Sequence, residues 1–465
     1  MLTSTQVLPL YGGGAWFAAD SPLVSDVVAP ADGEVLARVP WATERDVDAV
    51  VGALVAHGTG PRPDRATRLA RVDALHGALH DDRDAWADLV AREGGLTRPT
   101  AEAEVARALR CVALAREEGR TLDAPTDVPG APDLQGHRVP IGVVAAVLPA
   151  SHPASEPAAH VARALAVGAP LVVNPSIRGA LAAQWLVETA LRTGLPPGAL
   201  ALVHGNRDTA DALVAHPDVD AVSVAGPRDD TTPIAARAHA RGLPVLHRTP
   251  RRLVVWVGPE ANLDRVAAAL TSALLGPAAG RGLLPVHVLV PPRSDAPLAA
   301  ALDAAAATFP DPYAARTPAT RATLDALTAA YPRGVPVPSG RRGAATPSLR
   351  RLPLALQTDP HDGPARAVTS AGLPVVFTTP VPSASDALAA LRHWPIVDEV
   401  ALVGHGDATA AAVAALRGIP LVSVDAPLDG ATLAPAGSTE VFDPDPLALE
   451  TRLMTRALRV TSPPR

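Results

Sequence analysis

The chain has 465 residues, 48% of them hydrophobic, and a formal net charge of −6. That length exceeds a single compact core and predicts two or three domains, while the slight acidic balance leaves no electrostatic footprint for nucleic acid or an anionic membrane. No apolar run reaches the ~18 residues of a membrane helix, and the start MLTSTQVLPLYGGG lacks the basic-then-apolar pattern of a signal peptide, so a cytoplasmic location is the expectation.

Two absences narrow the chemistry further. The chain contains no lysine, so every basic side chain other than histidine is an arginine. Its single cysteine, Cys111, excludes both a disulfide framework and a thiolate metal cluster within the chain. Aromatic residues are only 3%, which predicts a core of Ala, Val and Leu.

Residues 42–120 read as helices. ATERDVDAVVGALVAHG opens on a Thr-x-x-Asp start signal and carries apolar residues at helical spacing. Two more stretches of the same pattern follow, and Cys111 falls in the last of them. A loop rich in Pro, Asp and Gly is expected from about Leu122 to Gly136. Strand and helix then alternate. IGVVAAVL, PLVVN, ALALVHG and DAVSVAG read as buried strands, with helices between them and further strands near Pro244–Leu246 and Leu253–Val257. Such alternation predicts a doubly wound parallel sheet, whose ligands bind beyond the carboxyl ends of the strands. Those ends are the turns after Leu148, Val173, Val203 and Val224. A second α/β unit is expected over about Asn262–Val424, with weak periodicity from Asp311 to Leu352. A short helix and an edge strand, ALRV, close the chain.

The stretch HRVPIGVVAAVLPASHPASEPAAHVARALAVGAPLVVNPS resembles the NAD(P)-dependent aldehyde dehydrogenase superfamily, whose members carry a Pro-x-Gly-Val-Val strand, a Pro-Trp-Asn-Phe-Pro turn, a helix and a strand ending in Lys-Pro-Ser. The likeness extends through GLPPGALALVHG, LVAHPDVDAVSVAG and GPEANLDRVAAAL, and the opening WFAADSPLVSDVVAPADGEVLARVP resembles the family's start. It implies an aldehyde dehydrogenase-like fold: a Rossmann-like dinucleotide domain over residues 1–245 with an arm at about 122–138, a catalytic-type α/β domain over 246–430, and a C-terminal tail or arm over 431–465.

The family's reaction uses a cysteine nucleophile, an Asn amide holding the oxyanion, a Glu general base, and a Lys that binds the adenosine ribose. Each matching position is changed. The Asn position holds Ser151 and the Lys position Asn174. LHRTPRR stands where the family has Glu-Leu-Gly-Gly-Lys, placing Leu246 or His247 at the base. GRGLLP stands where it has Gly-Gln-x-Cys, placing Gly282 or Leu283 at the nucleophile. TSAGLP replaces the later Glu-x-Phe-Gly-Pro motif, with Thr369 or Ser370 at the nicotinamide-ribose position.

Some framing remains. Gly205 and Gly226 match turn glycines that approach the dinucleotide, and read equally well as ordinary turn glycines. Ala210 and Pro227 replace residues used beside the pyrophosphate, so NAD or NADP is implied as cofactor with weak binding. His152 and Glu156 match positions lining the family's substrate tunnel, with His160, His247 and His287 nearby by resemblance. They read as a metal or acid–base cluster, or as scattered polar residues in a relaxed pocket, with Glu156 solvated or arginine-paired. The metal-ligand spacings are not those of a known motif, and no metal is expected. The resulting expectation is a catalytically degenerate homologue with a binding or assembly role. The alternative is an NAD(P)-dependent oxidoreductase that acts on an aldehyde without a Cys nucleophile. The resemblance further implies an aldehyde or nucleotide ligand and a homodimer or hetero-oligomer built through the arm and the C-terminal strand.

Overall fold

The computed structural model describes residues 6–58, 60–127, 134–249, 251–275, 283–308, 335–337, 349–353, 375–394, 397, 399–415, 421–424 and 449–461. In chain order the elements are β1 (Leu10–Gly12), β2 (Ala15–Phe17), β3 (Val24–Val28), β4 (Val35–Pro40) and α1 (Glu44–Gly58). Then come α2 (Arg65–Asp81), α3 (Arg83–Gly94), α4 (Arg98–Thr121), β5 (Thr126–Asp127) and β6 (Leu134–Pro140). The alternating region has β7 (Val143–Leu148), α5 (Ser155–Val167), β8 (Leu171–Pro175), α6 (Ala180–Arg192), β9 (Leu200–Leu202), α7 (Arg207–Ala215), β10 (Val219–Ala225), α8 (Arg228–Ala240) and β11 (Val245–Arg248). It is followed by β12 (Arg251–Val257), α9 (Leu263–Leu275), β13 (Leu283–Val290), α10 (Asp295–Ala306), β14 (Val335–Val337), β15 (Leu349–Pro353) and β16 (Val375–Pro380). The last elements are α11 (Ala384–His393), β17 (Glu399–Val403), α12 (Asp407–Ala414), β18 (Leu421–Val424), α13 (Leu449–Leu453) and β19 (Thr455–Thr461). No described helix is long and apolar enough to cross a membrane.

The chain divides into two compact units: Met1–Gly94, Ala101–Arg248 and Ser438–Arg465 form the first, and Gly95–Thr100 with Thr249–Gly437 form the second. The first holds a seven-stranded sheet in the order β11-β10-β7-β8-β9-β1-β2. From β11 to β9 neighbouring strands are parallel, and the β1–β2 hairpin joins β9 antiparallel. The chain runs from β7 through β8 to β9 on one side and then resumes at β10 on the other, so its direction reverses between β7 and β10. Leu10, Val50, Leu54, Val143, Val172, Val222 and Leu213 meet in one core under this sheet.

Local signals explain several boundaries. Thr43 and Asp46 form a reciprocal cap at the start of α1: the Thr43 N–H and hydroxyl both donate to Asp46, at 2.7 and 2.8 Å, and the Asp46 N–H donates back to Thr43 Oγ1 at 3.3 Å. Helix α5 stops at Gly168, whose φ of 80° is the left-handed conformation glycine tolerates. Helix α8 begins at Arg228 and carries Pro233 inside it. The acidic first turn of Asp229 and Asp230 suits a helix N-terminus, and Pro233 is close enough to that end to limit the damage.

A three-stranded antiparallel sheet, β19-β6-β5, occupies the regions where an arm and a final strand are expected. Thr455–Thr461 pair residue by residue with Pro140–Leu134. The second unit has its own seven-stranded sheet, β14-β15-β16-β13-β12-β17-β18, parallel except at β14–β15. One face packs Leu253, Val255, Val288 and Val290 against α9 and α10, and the other packs Val254, Trp256, Leu289 and Leu402 against α11 and Trp394.

Candidate functional site in the first unit

Strand β7 is apolar and almost wholly buried, as a central parallel strand must be. It delivers the chain to the turn that contains Ser151 and His152. Ser151 is exposed while His152 is buried, and Ser151 Oγ lies 3.1 Å from His152 Nδ1. The turn after β10 comes close to this one: a Cβ on Gly226 would lie 4.0 Å from Pro149 Cβ, and its φ of 148° favours glycine. The N-terminus of α5 is closed by Glu104 of α4, whose Oε1 accepts from the amides of Ala154 (3.3 Å) and Ser155 (2.9 Å) and from the Ser155 hydroxyl (2.9 Å). Glu93 of α3 does the same for α6, accepting from Leu181 (2.8 Å) and Ala182 (2.9 Å). Both carboxylates answer donors that a helix start leaves open. Burial pushes the Glu93 carboxyl up to about 7 against the pull of those amides.

Beneath the turn lies a buried polar network. Glu156 is ion-paired with Arg248 at the end of β11, with side-chain exposures of 14% and 8%. His160, fully buried one turn along α5, donates from Nδ1 to the Glu156 carbonyl at 2.8 Å. Its Nε2 lies 2.9 Å from the hydroxyl of Ser223, a buried residue of β10. Glu156 is therefore the arginine-paired side chain of the two readings, with His160 Nδ1 also 3.8 Å from its Oε2.

His247 sits in β11 opposite Val224 of β10. Its Nε2 lies 2.8 Å from the Thr231 hydroxyl, which itself bonds the Pro227 carbonyl at 3.0 Å. Burial first, then the neighbouring Arg228 and His239, hold the His247 imidazole below the ordinary histidine range. At neutral pH it is an uncharged base with one nitrogen fixed.

At the end of β8, Asn174 is buried and its Nδ2 donates to the Val203 carbonyl at 2.9 Å. At the end of β9, a Cβ on Gly205 would fall 2.0 Å from Thr209 Oγ1, so this glycine makes room for Thr209, whose hydroxyl reaches the Ala42 carbonyl at 2.7 Å. Asn206 caps α7 by accepting from Asp208 (2.9 Å) and Thr209 (3.2 Å). His204 beside it is fully buried, 3.2 Å from Gln184 Oε1, and burial drives its imidazole down to about 3. At α8 the N-cap residue is Pro227, which makes no side-chain cap, and two carboxylates follow in the first turn.

Two positions fall in the second unit. Leu283 is the first residue of β13, in register with Arg251 of β12. His287 is not beside it: it lies inside the sheet between Val254 and Phe377, stacked on Trp394 at 4.5 Å and bonded to the Thr379 hydroxyl at 2.7 Å. Gly282, Thr369 and Ser370 lie outside the described residues. Among the described residues, no group of three His, Cys, Asp or Glu side chains is placed to hold a metal ion.

Sequence reasoning missed Glu104, Thr231, Ser223 and Arg248. Arg248 did carry a signal, since an arginine ending an apolar strand next to His247 needs a buried acidic partner. Ser223 and Thr231 carried none, because their partners are 63 and 16 residues away.

Residues 16–324 match the aldehyde dehydrogenase family. Malonate-semialdehyde dehydrogenase 1 of Geobacillus kaustophilus is 32% identical over 280 residues, covering 60% of this chain and 57% of the relative. The chain thus spans under two thirds of the length of the curated relatives it matches. Among solved structures, aldehyde dehydrogenase C of Pseudomonas syringae, with NAD+ and octanal bound, has a TM-score of 0.78 at 22% identity, covering 98% of this chain and 96% of that one. The NADP-dependent glyceraldehyde-3-phosphate dehydrogenase of Bacillus halodurans, with NADP bound, also scores 0.78 at 19% identity, covering 97% and 98%. These structures share the mixed α/β fold of this chain over nearly its whole length.

Proposed function

This chain belongs to the aldehyde dehydrogenase family, and we propose that it is a member whose thiol chemistry is lost and whose role is binding or assembly. One observation carries the reading: the only cysteine, Cys111, lies in α4, while the positions that match the family's nucleophile by resemblance are Gly282 or Leu283, neither of them a thiol. Without a thiolate no covalent hemithioacetal forms, and loss of a nucleophile alone removes about 10⁶-fold of turnover. Ser151 in place of the oxyanion amide and His247 in place of the general base support the same conclusion. So does the Glu156–Arg248 ion pair, which commits a tunnel position to internal structure.

Three features count against a nicotinamide dinucleotide. Asn174 is too short for the lysine's task and already bonds the Val203 carbonyl. Pro227 brings neither an N–H nor a hydroxyl to the start of α8. Asp229 and Asp230 then place negative charge where a pyrophosphate would seek the positive end of the helix. The residues present do not fit the cofactor.

Aldehyde oxidation by the purified chain tests the reading. With malonate semialdehyde or octanal and either NAD or NADP, no reduced cofactor is expected. Cofactor-dependent oxidation of either aldehyde refutes it. A second reading, an oxidoreductase without a covalent intermediate, is favoured by one observation: the imidazole of His247, which with Leu246 is one of the two residues matching the family's base by resemblance, is held by the Thr231 hydroxyl and kept below the ordinary histidine range by burial. It requires NAD or NADP to bind and turnover to vanish in His247→Ala.

A further inference from the structure

The first unit's sheet reverses direction between β7 and β10. In open α/β sheets the crevice beyond the strand ends at that reversal is where ligands lodge. The turn after β7 supplies Ser151 and His152, and the turn after β10 abuts it through Gly226 and Pro149. An exposed serine whose Oγ lies 3.1 Å from a ring nitrogen of a buried histidine therefore stands in the turn beyond the strand ends at that reversal. Exposure gives the oxygen access to a ligand, and burial fixes the imidazole beside it. A nucleophilic serine needs both.

We propose that Ser151 is an acyl acceptor for esters of small carboxylic acids, with His152 as its base. Ser151 Oγ attacks the ester carbonyl carbon while its proton passes to His152 Nδ1. The tetrahedral adduct collapses, the C–O bond to the alcohol breaks, and the alcohol leaves with the proton from Nδ1. Water then attacks the acyl-serine, giving one proton to Nδ1. The carboxylic acid departs, and the proton returns to Ser151 Oγ. No redox partner is involved, so this activity is separate from aldehyde oxidation and does not depend on the reading above.

The surroundings set its size. Glu104 already holds the amides of Ala154 and Ser155, so the first turn of α5 does not serve as an oxyanion donor. What remains is general-base assistance, about 10²- to 10⁴-fold. The expected behaviour is a slow acylation that ordinary substrates report as a weak esterase.

The test uses the full chain with p-nitrophenyl acetate, and separately with phenylmethylsulfonyl fluoride, followed by intact-mass and peptide mass spectrometry. The expected result is one adduct, on Ser151, absent from Ser151→Ala. Ser151 is exposed, so that variant tests the chemistry without threatening the fold. In His152→Asn, shown by thermal melting to be folded, acylation of Ser151 falls by about 10²-fold or more. Labelling at an unchanged rate in Ser151→Ala, adducts only elsewhere, or a His152→Asn rate within threefold of wild type overturns the proposal.

Discussion

Arg248→Leu probes the most consequential contact in the candidate site. Its guanidinium is 8% exposed and faces a Glu156 carboxylate that is 14% exposed, with His160 Nδ1 a further 3.8 Å from Oε2. Removing the arginine leaves a carboxylate in a nearly water-free setting beside an imidazole that is already bonded to Ser223. Breaking a buried pair from one side typically costs about 3–5 kcal/mol. In a domain of 150–250 residues each kcal/mol lowers Tm by about 2–4 °C, so a fall of roughly 6–20 °C is expected. Replacing both partners, Glu156→Leu with Arg248→Leu, removes the stranded charge and should recover most of the loss, because well-packed apolar substitutes for buried pairs are often near neutral. Urea unfolding followed by far-ultraviolet circular dichroism, run as a double-mutant cycle, measures both steps. A cost under about 1 kcal/mol for Arg248→Leu, the range of exposed pairs, would refute the view that this pair acts as a buried one.

Other outcomes follow from single contacts. Gly205→Ala places a methyl 2.0 Å from Thr209 Oγ1, and overpacking of this kind costs about 1–3 kcal/mol in the same unfolding assay. Glu93 has a folded-state value raised from 4.5 to about 7, so its contribution to stability is full below pH 4.5 and is lost as pH rises towards 7. Ionising it costs on the order of 3 kcal/mol, and Glu93→Gln should remove this loss. His204 runs the other way. Its value is lowered from 6.5 to about 3, so stability is full above pH 6.5 and falls as pH drops towards 3. Between pH 4.5 and 6.5 the two slopes oppose and nearly cancel, so melting curves should show a broad plateau there, a fall below pH 4.5 and a small decline between 6.5 and 7. In Glu93→Gln stability should instead climb from pH 4.5 to 6.5, and a profile unchanged by that variant would contradict the Glu93 assignment. Calorimetric titration with NAD and NADP should show no binding at millimolar cofactor, and micromolar binding would contradict the misfit drawn from Asn174 and Pro227.

Much of the fold was legible because it rests on local rules. The Thr43–Asp46 cap, the apolar run of β7 and the closing glycine of α5 are each encoded within a few neighbouring residues. At α8 the local signals compete: Pro233 alone suggests a first-turn proline, but the acidic turn of Asp229 and Asp230 before it sets the start at Arg228. The site was legible only as positions. Its partners are brought in by strand order: Arg248 reaches Glu156 across 92 residues, and His160 reaches Ser223 across 63. His287 shows the opposite error. Four residues from Leu283 looks close in sequence, but a strand extends about 3.3 Å per residue and carries His287 about 13 Å into the sheet.

The pairing of β19 with β6 joins residues 455–461 to residues 134–140 across the whole of the second unit. During synthesis the second unit's segment leaves the ribosome as one nearly continuous stretch and has its partners at hand. The first unit meanwhile waits with one edge of β6 unpaired, its other edge held only by the short β5, until some 315 further residues have been made. Contacts of such long sequence separation form slowly and late. The exposed edge of β6 during that wait is a surface on which the nascent chain can pair wrongly or be held by a chaperone.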